Sequence, residues 1–272
     1  MSREVTAVIT THGRPASVQE AIASVRAELH ENIEIVVVDD GGEFTPSDVT
    51  LRVVRGLQLG VGRARNLGLA EARGEFVIFL DDDDVALPAR IATLVETARR
   101  HRADICFGMT RRRLDDSAQI LESVPTHLLE PGPIGFCDLL TCAPHINAVL
   151  ARTDVLRDVG GFDVEASHFD DWSAWLRIAD CDGVIWSVAD VVAEWRIHER
   201  GLTADLLQRR AMKTRLLSLF DRLQSCLSDD NARAVATAHR IVASADIITY
   251  DDYADVMASA REQLRRATMC VA

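Results

Sequence analysis

Lysine is all but absent from this chain: Lys213 is the single one in 272 residues, and Arg fills the remaining basic positions. Basic side chains number 30 against 42 acidic, a net charge of −12. That balance excludes a general nucleic-acid or anionic-membrane surface, since phosphate backbones are held chiefly by Lys and Arg. One phosphorylated small molecule remains compatible if a metal or a local Arg cluster supplies positive charge. No G-x-x-x-x-G-K-[ST] phosphate loop exists, because the one lysine lies elsewhere. No apolar run approaches the ~20 residues of a membrane span. The opening MSREVTAVIT lacks the charged, apolar and small-residue succession of a secretory leader, so a cytoplasmic protein is expected. The six cysteines (Cys106, Cys137, Cys142, Cys181, Cys226 and Cys270) contain no C-x-x-C and no zinc-ligand spacing, and read as reduced, mostly buried thiols. There is no nucleophile elbow and no Asp-x-Asp-x-Thr after the first strand. Gly60-Val61-Gly62-Arg63-Ala64-Arg65 ends on Arg where a dinucleotide fingerprint needs its third glycine, and it follows the third strand instead of the first.

Against these absences stands an ordinary globular composition, 48% hydrophobic and 26% charged, enough to bury a sizeable core. The first hundred residues alternate short apolar runs with helical patterns, the signature of β-α-β units. Strands are expected at Val5–Thr10, Ile33–Val38, Leu51–Val54 and Phe76–Leu80. Helices are expected at Pro15–Leu29, at Gly62–Ala72 and after Pro88. Further on, Ile105–Thr110, Asn147–Ala151, Val184–Val188 and Val191–Ile197 read as strands, and Thr153–Val159 and Asp171–Ala179 as helices. Pro125–Pro144, with four prolines, reads as a winding connection. From Ala204 onward the pattern is two or three helices packed on the main body. The fold class is α/β, a mainly parallel sheet flanked by helices.

Two acidic clusters close predicted strands, at the sheet edge where open α/β folds bind ligands. Asp39-Asp40-Gly41-Gly42 reads equally well as a turn. Asp81-Asp82-Asp83-Asp84 is harder to dismiss. Two carboxylates ~4 Å apart repel by roughly 4 kcal/mol at an effective dielectric near 20, and a shared hard cation relieves this. A few Asp ligands with open positions suit Mg²⁺ or Mn²⁺, the rest of the shell coming from phosphate oxygens and water. A third constellation, Asp170-Asp171-Trp172 with Trp175, admits a plain helix N-terminus with packed tryptophans. His198 in Trp195-Arg196-Ile197-His198 is unremarkable alone.

Taken in order, these segments resemble a family 2 glycosyltransferase of GT-A fold over about residues 4–200. The resemblance rests on Thr10-Thr11-His12-Gly13-Arg14-Pro15 and on Val36-Val37-Val38-Asp39-Asp40-Gly41-Gly42. It continues through Ala64-Arg65-Asn66-Leu67-Gly68 into Phe79-Leu80-Asp81-Asp82-Asp83-Asp84 and Leu87-Pro88, then Asp170-Asp171-Trp172 and Trp195-Arg196-Ile197-His198.

The resemblance implies an inverting, metal-dependent transfer of a sugar from a UDP- or dTDP-sugar to a hydroxyl of a soluble acceptor, a natural product or a polysaccharide precursor. Donor contacts are then expected from Thr10, His12, Arg14, Asp39, Asp40 and Arg65, with Asp40 facing the base and Asp81 or Asp82 near the ribose. Asp83 is the implied ligand of Mn²⁺ or Mg²⁺, and His198 is a late histidine placed to approach the metal or diphosphate. Asp171 matches the general base, with Asp170 as the neighbouring alternative; Asp170 and Trp172 are also acceptor-side candidates. His12 stands where the family commonly has Tyr, and Asp170 where it commonly has Glu. The implied organisation is a glycosyltransferase domain over 1–203, with nucleotide-binding (1–100) and acceptor-binding (101–203) halves, followed by a helical region over 204–272 that suits a homodimer. Two alternatives share the architecture. A sugar-phosphate nucleotidyltransferase would show a Gly-rich, lysine-containing signature after the first strand, and a non-catalytic nucleotide- or glycan-binding domain would show no turnover.

Overall fold

A computed structural model describes residues 4–28, 32–42, 44–46, 48, 51–114, 119–124, 130–166, 168–198, 211–247 and 250–266. The first half alternates strand and helix: β1 (Val5–Thr11), α1 (Pro15–Arg26), β2 (Ile33–Asp39), β3 (Arg52–Arg55), α2 (Val61–Glu71), β4 (Phe76–Asp81), the short β5 (Val85–Ala86) and α3 (Arg90–His101). All seven residues of β1 are buried, as an apolar strand covered by helices on both faces requires. Pro15 opens α1, where its missing N–H costs nothing. Val18, Ala21, Ile22 and Val25 form its buried stripe, the i, i+3, i+4, i+7 pattern of a helix on a sheet.

The second half contains β6 (Ile105–Leu114), β7 (Ile120–Val124), β8 (Gly132–Pro133), α4 (Phe136–Thr141), β9 (Val149–Arg152), α5 (Thr153–Asp158), α6 (Asp170–Asp180) and β10 (Ile185–Ile197). Helices α7 (Ala211–Leu223), α8 (Asp229–Ser244) and α9 (Tyr250–Arg266) follow. The strands join in one sheet of order β3-β2-β1-β4-β9-β6-β10-β5, with β7 on β6 and β8 on β10. Strands β3, β2, β1 and β4 are parallel. β9 runs antiparallel to both β4 and β6, and β6 pairs parallel with β10. The parallel expectation thus describes β3, β2, β1 and β4, while β9 reverses direction in the middle of the sheet.

Local departures from the sequence reading have physical causes. The two strands expected between Val184 and Ile197 are one, β10, interrupted by register shifts between Ser187 and Ala193. Gly108 on β6 faces that irregularity, where a Cβ would lie 2.6 Å from the carbonyl oxygen of Asp190. The proline-rich connection holds β8 and the one-turn helix α4, while Pro125 lies outside the described residues. Helix α1 ends at Arg26, and Leu29 is likewise outside the described residues. The C-terminal helices are not an appendage with a separate core. Leu219 and Phe220 of α7, Val235 and Val242 of α8 and Leu264 of α9 share one apolar cluster with Leu139 of α4 and Trp172 and Trp175 of α6. Cys106 and Cys142 are buried free thiols and Cys181 and Cys226 exposed ones. Cys137 is disulfide-bonded, so the expectation of reduced thiols throughout does not hold at that position.

Candidate active site

Register places the acidic clusters side by side. Thr11 at the end of β1 lies opposite Asp39 of β2, and Thr10 lies opposite Asp81 of β4. The carboxyl ends of three parallel strands therefore open on one cleft, at the sheet edge where open α/β folds bind ligands. Thr10, His12 and Asp40 form one wall, Asp81, Asp83 and Asp84 the floor, and His145, Trp195 and Arg196 the opposite wall.

The paired aspartates have separate tasks. Asp40 is on the wall, its carboxylate accepting from the backbone N–H groups of Leu59 (2.8 Å) and Gly60 (3.0 Å). Asp39 is fully buried. It accepts from the N–H groups of Gly42 and Phe44, each at 2.8 Å, and pairs with Arg55. Asp39 therefore closes the turn after β2 and does not reach the cleft, contrary to the expected donor contact.

The four aspartates after β4 also point different ways. Thr10 donates to Asp81 at 3.3 Å, and Arg65 donates to both its oxygens at 2.9 and 3.1 Å. Burial alone would push the Asp81 carboxyl up, but the Arg65 guanidinium outweighs it and holds the group below its usual range. Asp82 turns away from the cleft to β1, accepting from Thr11 at 2.6 Å and pairing with Arg14 at 2.6 Å. Burial pushes it up to about 6 despite those partners. Asp82 thus braces the end of β1, and only Asp81 of the expected pair lines the cleft. Asp83 projects into the cleft, paired with Arg14 and with His198 Nε2 at 3.0 Å. Asp84 is buried, accepts from Asn147 Nδ2 and from the Arg196 N–H at 2.7 Å, and is pushed well above the usual carboxylate range by burial first and then by the charges of Asp83 and Asp81.

Asp83 and His198 are suitable donors for a hard divalent cation. Both are partly exposed and converge within hydrogen-bond distance, and Arg14 now supplies the positive charge beside Asp83. Among the described residues no group of three or more His, Cys, Asp or Glu gathers at one point, so a bound ion would draw most of its shell from ligand and water, as Mg²⁺ and Mn²⁺ commonly do.

At the start of α6 the backbone of Phe169 is left-handed, φ 64°, an uncommon state for a non-glycine residue. It turns Asp170 and Asp171 into the first helical turn, where the dipole favours negative charge. Asp170 is buried, with both oxygens held by Arg65 at 3.0 and 2.9 Å. Asp171 is half-buried; burial, then the neighbouring Asp170 charge, push its carboxyl up to about 7. Neither lies on the cleft wall, and Arg65 connects them to it through Asp81. Arg65 is itself buried and makes no wall, so its expected donor contact is replaced by a tie between strand and helix. Trp172 is fully buried, donating from Nε1 to the Leu139 carbonyl at 2.6 Å and meeting Phe169 and Phe220 edge-on. It is a core residue and offers no face to an acceptor.

One wall residue and one glycine packed behind Asp40 escaped the sequence reading. The ring of His145 stacks on Trp195 with centroids 4.9 Å apart, and burial lowers its pKa to about 4, leaving it neutral at pH 7. Gly56 was also passed over: a Cβ there would run into the Asp40 carboxylate. A lone His and a lone Gly carry no spacing signal, and only the folded chain brings them to the cleft.

Sheet, helices and cleft together define a GT-A glycosyltransferase fold. A mannosyltransferase of Pyrobaculum calidifontis, solved with GDP-Man and Mn²⁺, matches with a TM-score of 0.65 at 17% identity, covering 98% of this chain and 76% of its own. Staphylococcus aureus TarS 1–349 in complex with UDP-GlcNAc matches with a TM-score of 0.64 at 14% identity, covering 97% of this chain and 92% of its own. The model described as Glycosyl transferase family 2 matches residues 6–125. An uncharacterised glycosyltransferase of Nostoc sp. is 28% identical over 220 residues, 72% of this chain and 65% of its own length. The chain thus spans just under two thirds of that relative.

Proposed function

We propose that this protein transfers a sugar from a nucleoside-diphosphate sugar, UDP- or dTDP-linked, to a hydroxyl of a natural product or polysaccharide precursor, with inversion and with Mn²⁺ or Mg²⁺. One observation carries the reading: a single cleft holds Asp40 on one wall and Asp83 on its floor, Asp83 is paired with His198, and Arg65 links that floor to a carboxylate titrating near neutrality. Thr10, His12 and Asp40 hold the nucleoside, and Asp81 faces its ribose. Asp83 and His198 hold the divalent ion, which when bound neutralises charge developing on the departing diphosphate. That supplies the positive charge a protein of net −12 otherwise lacks. Asp171 removes the proton of the acceptor hydroxyl as it attacks the anomeric carbon from the face opposite the leaving group. One direct displacement through an oxocarbenium-like transition state inverts that centre. Residues 1–100 serve the donor, 101–203 the acceptor, and 204–272 brace the acceptor side.

Calorimetric titration of UDP, dTDP and GDP, with and without Mn²⁺, tests the donor class. Metal-dependent binding of UDP or dTDP, abolished in Asp83→Ala, is the expected result. Preference for GDP would move the reading to a different base, and no binding of any of the three would sink it.

A further inference from the structure

Arg65 is heavily committed within the site, yet it does not itself line the cleft and meets it only through Asp81. One terminal nitrogen donates to both oxygens of Asp170 at 3.0 and 2.9 Å, the other to both oxygens of Asp81 at 2.9 and 3.1 Å. Its side chain is 7% exposed and that of Asp170 4%, so water does not screen the pairing as it would at the surface. Cζ of the guanidinium lies 5.9 Å from the centroid of the Phe162 ring. Arg65 stands on α2, Asp81 ends β4 and Asp170 begins α6, three elements meeting at one planar group. Beside it, Asn66 exchanges hydrogen bonds with the backbone of Phe162 at 2.9 and 2.8 Å, fixing α2 against the loop that leads to α6. Asp171 follows Asp170 directly and forms no ion pair with Arg65, so its direction depends on how firmly its neighbour is held.

We propose that Arg65 is a positioning residue for the transfer reaction, tying the donor-side end of β4 to the first turn of α6 and so fixing the orientation of Asp171. The inference rests on the reading of Asp171 as the base. The charged groups around Asp171 are Asp170 on its own helix, Arg65 from α2 and Asp81 from β4. Arg65 favours the ionised carboxylate, while Asp170 and Asp81 oppose it. Geometry and charge are therefore separable by two substitutions. Arg65→Lys keeps the charge but loses the fork, since one ammonium cannot hold two carboxylates in fixed directions. Arg65→Gln removes the charge.

The test combines turnover with a readout that needs no donor. UDP release from UDP-glucose and UDP-N-acetylglucosamine with Mn²⁺ gives kcat and KM. The ¹³C carboxyl resonance of Asp171, assigned with Asp171→Asn, gives its titration in the protein alone. Arg65→Lys is expected to lower kcat by roughly 10- to 100-fold with donor KM changed less than threefold. Arg65→Gln is expected to move the Asp171 titration, and with it the acid limb of kcat, to higher pH. A purely structural role would lower thermal stability in Arg65→Lys while leaving kcat and donor KM of the folded fraction unchanged. Arg65→Lys with kcat within twofold of the parent, or Arg65→Gln with an unmoved Asp171 resonance, overturns the proposal. Should Arg65→Gln not fold, Arg65→Gln/Asp170→Asn removes both buried charges together. It should titrate Asp171 at lower pH, because the stronger opposing charge is gone, while kcat stays depressed; parental kcat there also overturns the proposal. If Asp171→Asn retains activity, the assignment of the base fails instead, and the Asp171 titration in Arg65→Gln still decides whether the tie operates.

Discussion

At the scale of single residues, the proposed reaction depends on one carboxylate being ionised when it is needed. Burial, and then the Asp170 charge, push Asp171 up to about 7, so at pH 6 roughly a tenth of the molecules carry it as a base. Turnover should climb about tenfold between pH 6 and pH 8 and then level off, and a kcat–pH profile at saturating donor checks this. Asp171→Asn should lower kcat at least ~10²-fold while calorimetry finds nucleotide affinity nearly intact. On the other side of the cleft the sensitive residue is a glycine. A Cβ at Gly56 would meet the Asp40 carboxylate, displacing the acceptor of the Leu59 and Gly60 N–H groups. Gly56→Ala should weaken nucleotide binding by up to about tenfold, since ~1.4 kcal/mol is the upper end of one net hydrogen bond, with kcat at saturation little changed. Equal affinities for parent and variant would remove Asp40 from the binding wall.

At the scale of elements, the sequence made β1, β2 and β4 legible because a strand buried on both faces is a continuous apolar run that ends where polar residues must reach water. That same logic located the acidic clusters at the strand ends, since a charge cannot continue such a run. It could not say which way each aspartate turns. Asp39 and Asp40 share a segment, but only the fold sends one to a buried turn and the other to the cleft, as it sends Asp82 towards β1 and Asp83 away from it. Helix α6 gives the opposite lesson. Its tryptophans at i, i+3 were readable as packing or as a platform, and tertiary structure decides, with α4 and α7 closing over Trp172. Trp172→Ala should therefore cost about 3–5 kcal/mol of stability, measured by denaturant unfolding. Among molecules that remain folded, acceptor KM should be unchanged; a selective rise in acceptor KM without loss of stability would return Trp172 to the acceptor surface.

At the scale of the whole molecule, an acidic protein concentrates several carboxylates around one cleft, and proton linkage makes that concentration measurable. Burial raises Asp82 to about 6 and Asp171 to about 7, and Asp84 well above its ordinary value. A carboxyl raised in the folded state takes up its proton at higher pH than in the unfolded chain. Its contribution is thus fully present below the unfolded value, about 4, and is lost as pH rises through the folded one. His145 has the opposite sign: burial lowers it to about 4, so the unfolded chain binds its proton first and stability falls below about pH 6.5. Three carboxyls oppose one imidazole, which makes the slope shallower below pH 6.5 without reversing it. Asp81, held low by Arg65 against the cost of burial, gives up its contribution only below about pH 4. The metal-free protein should therefore melt at a higher Tm at pH 5.5 than at pH 8. Asp82→Asn, which keeps the shape and removes one of the raised carboxyls, should flatten the dependence. A Tm that rises steadily from pH 5.5 to pH 8 would mean these carboxylates are stabilised as ions, and the cleft would then have to be less desolvated than its burial indicates.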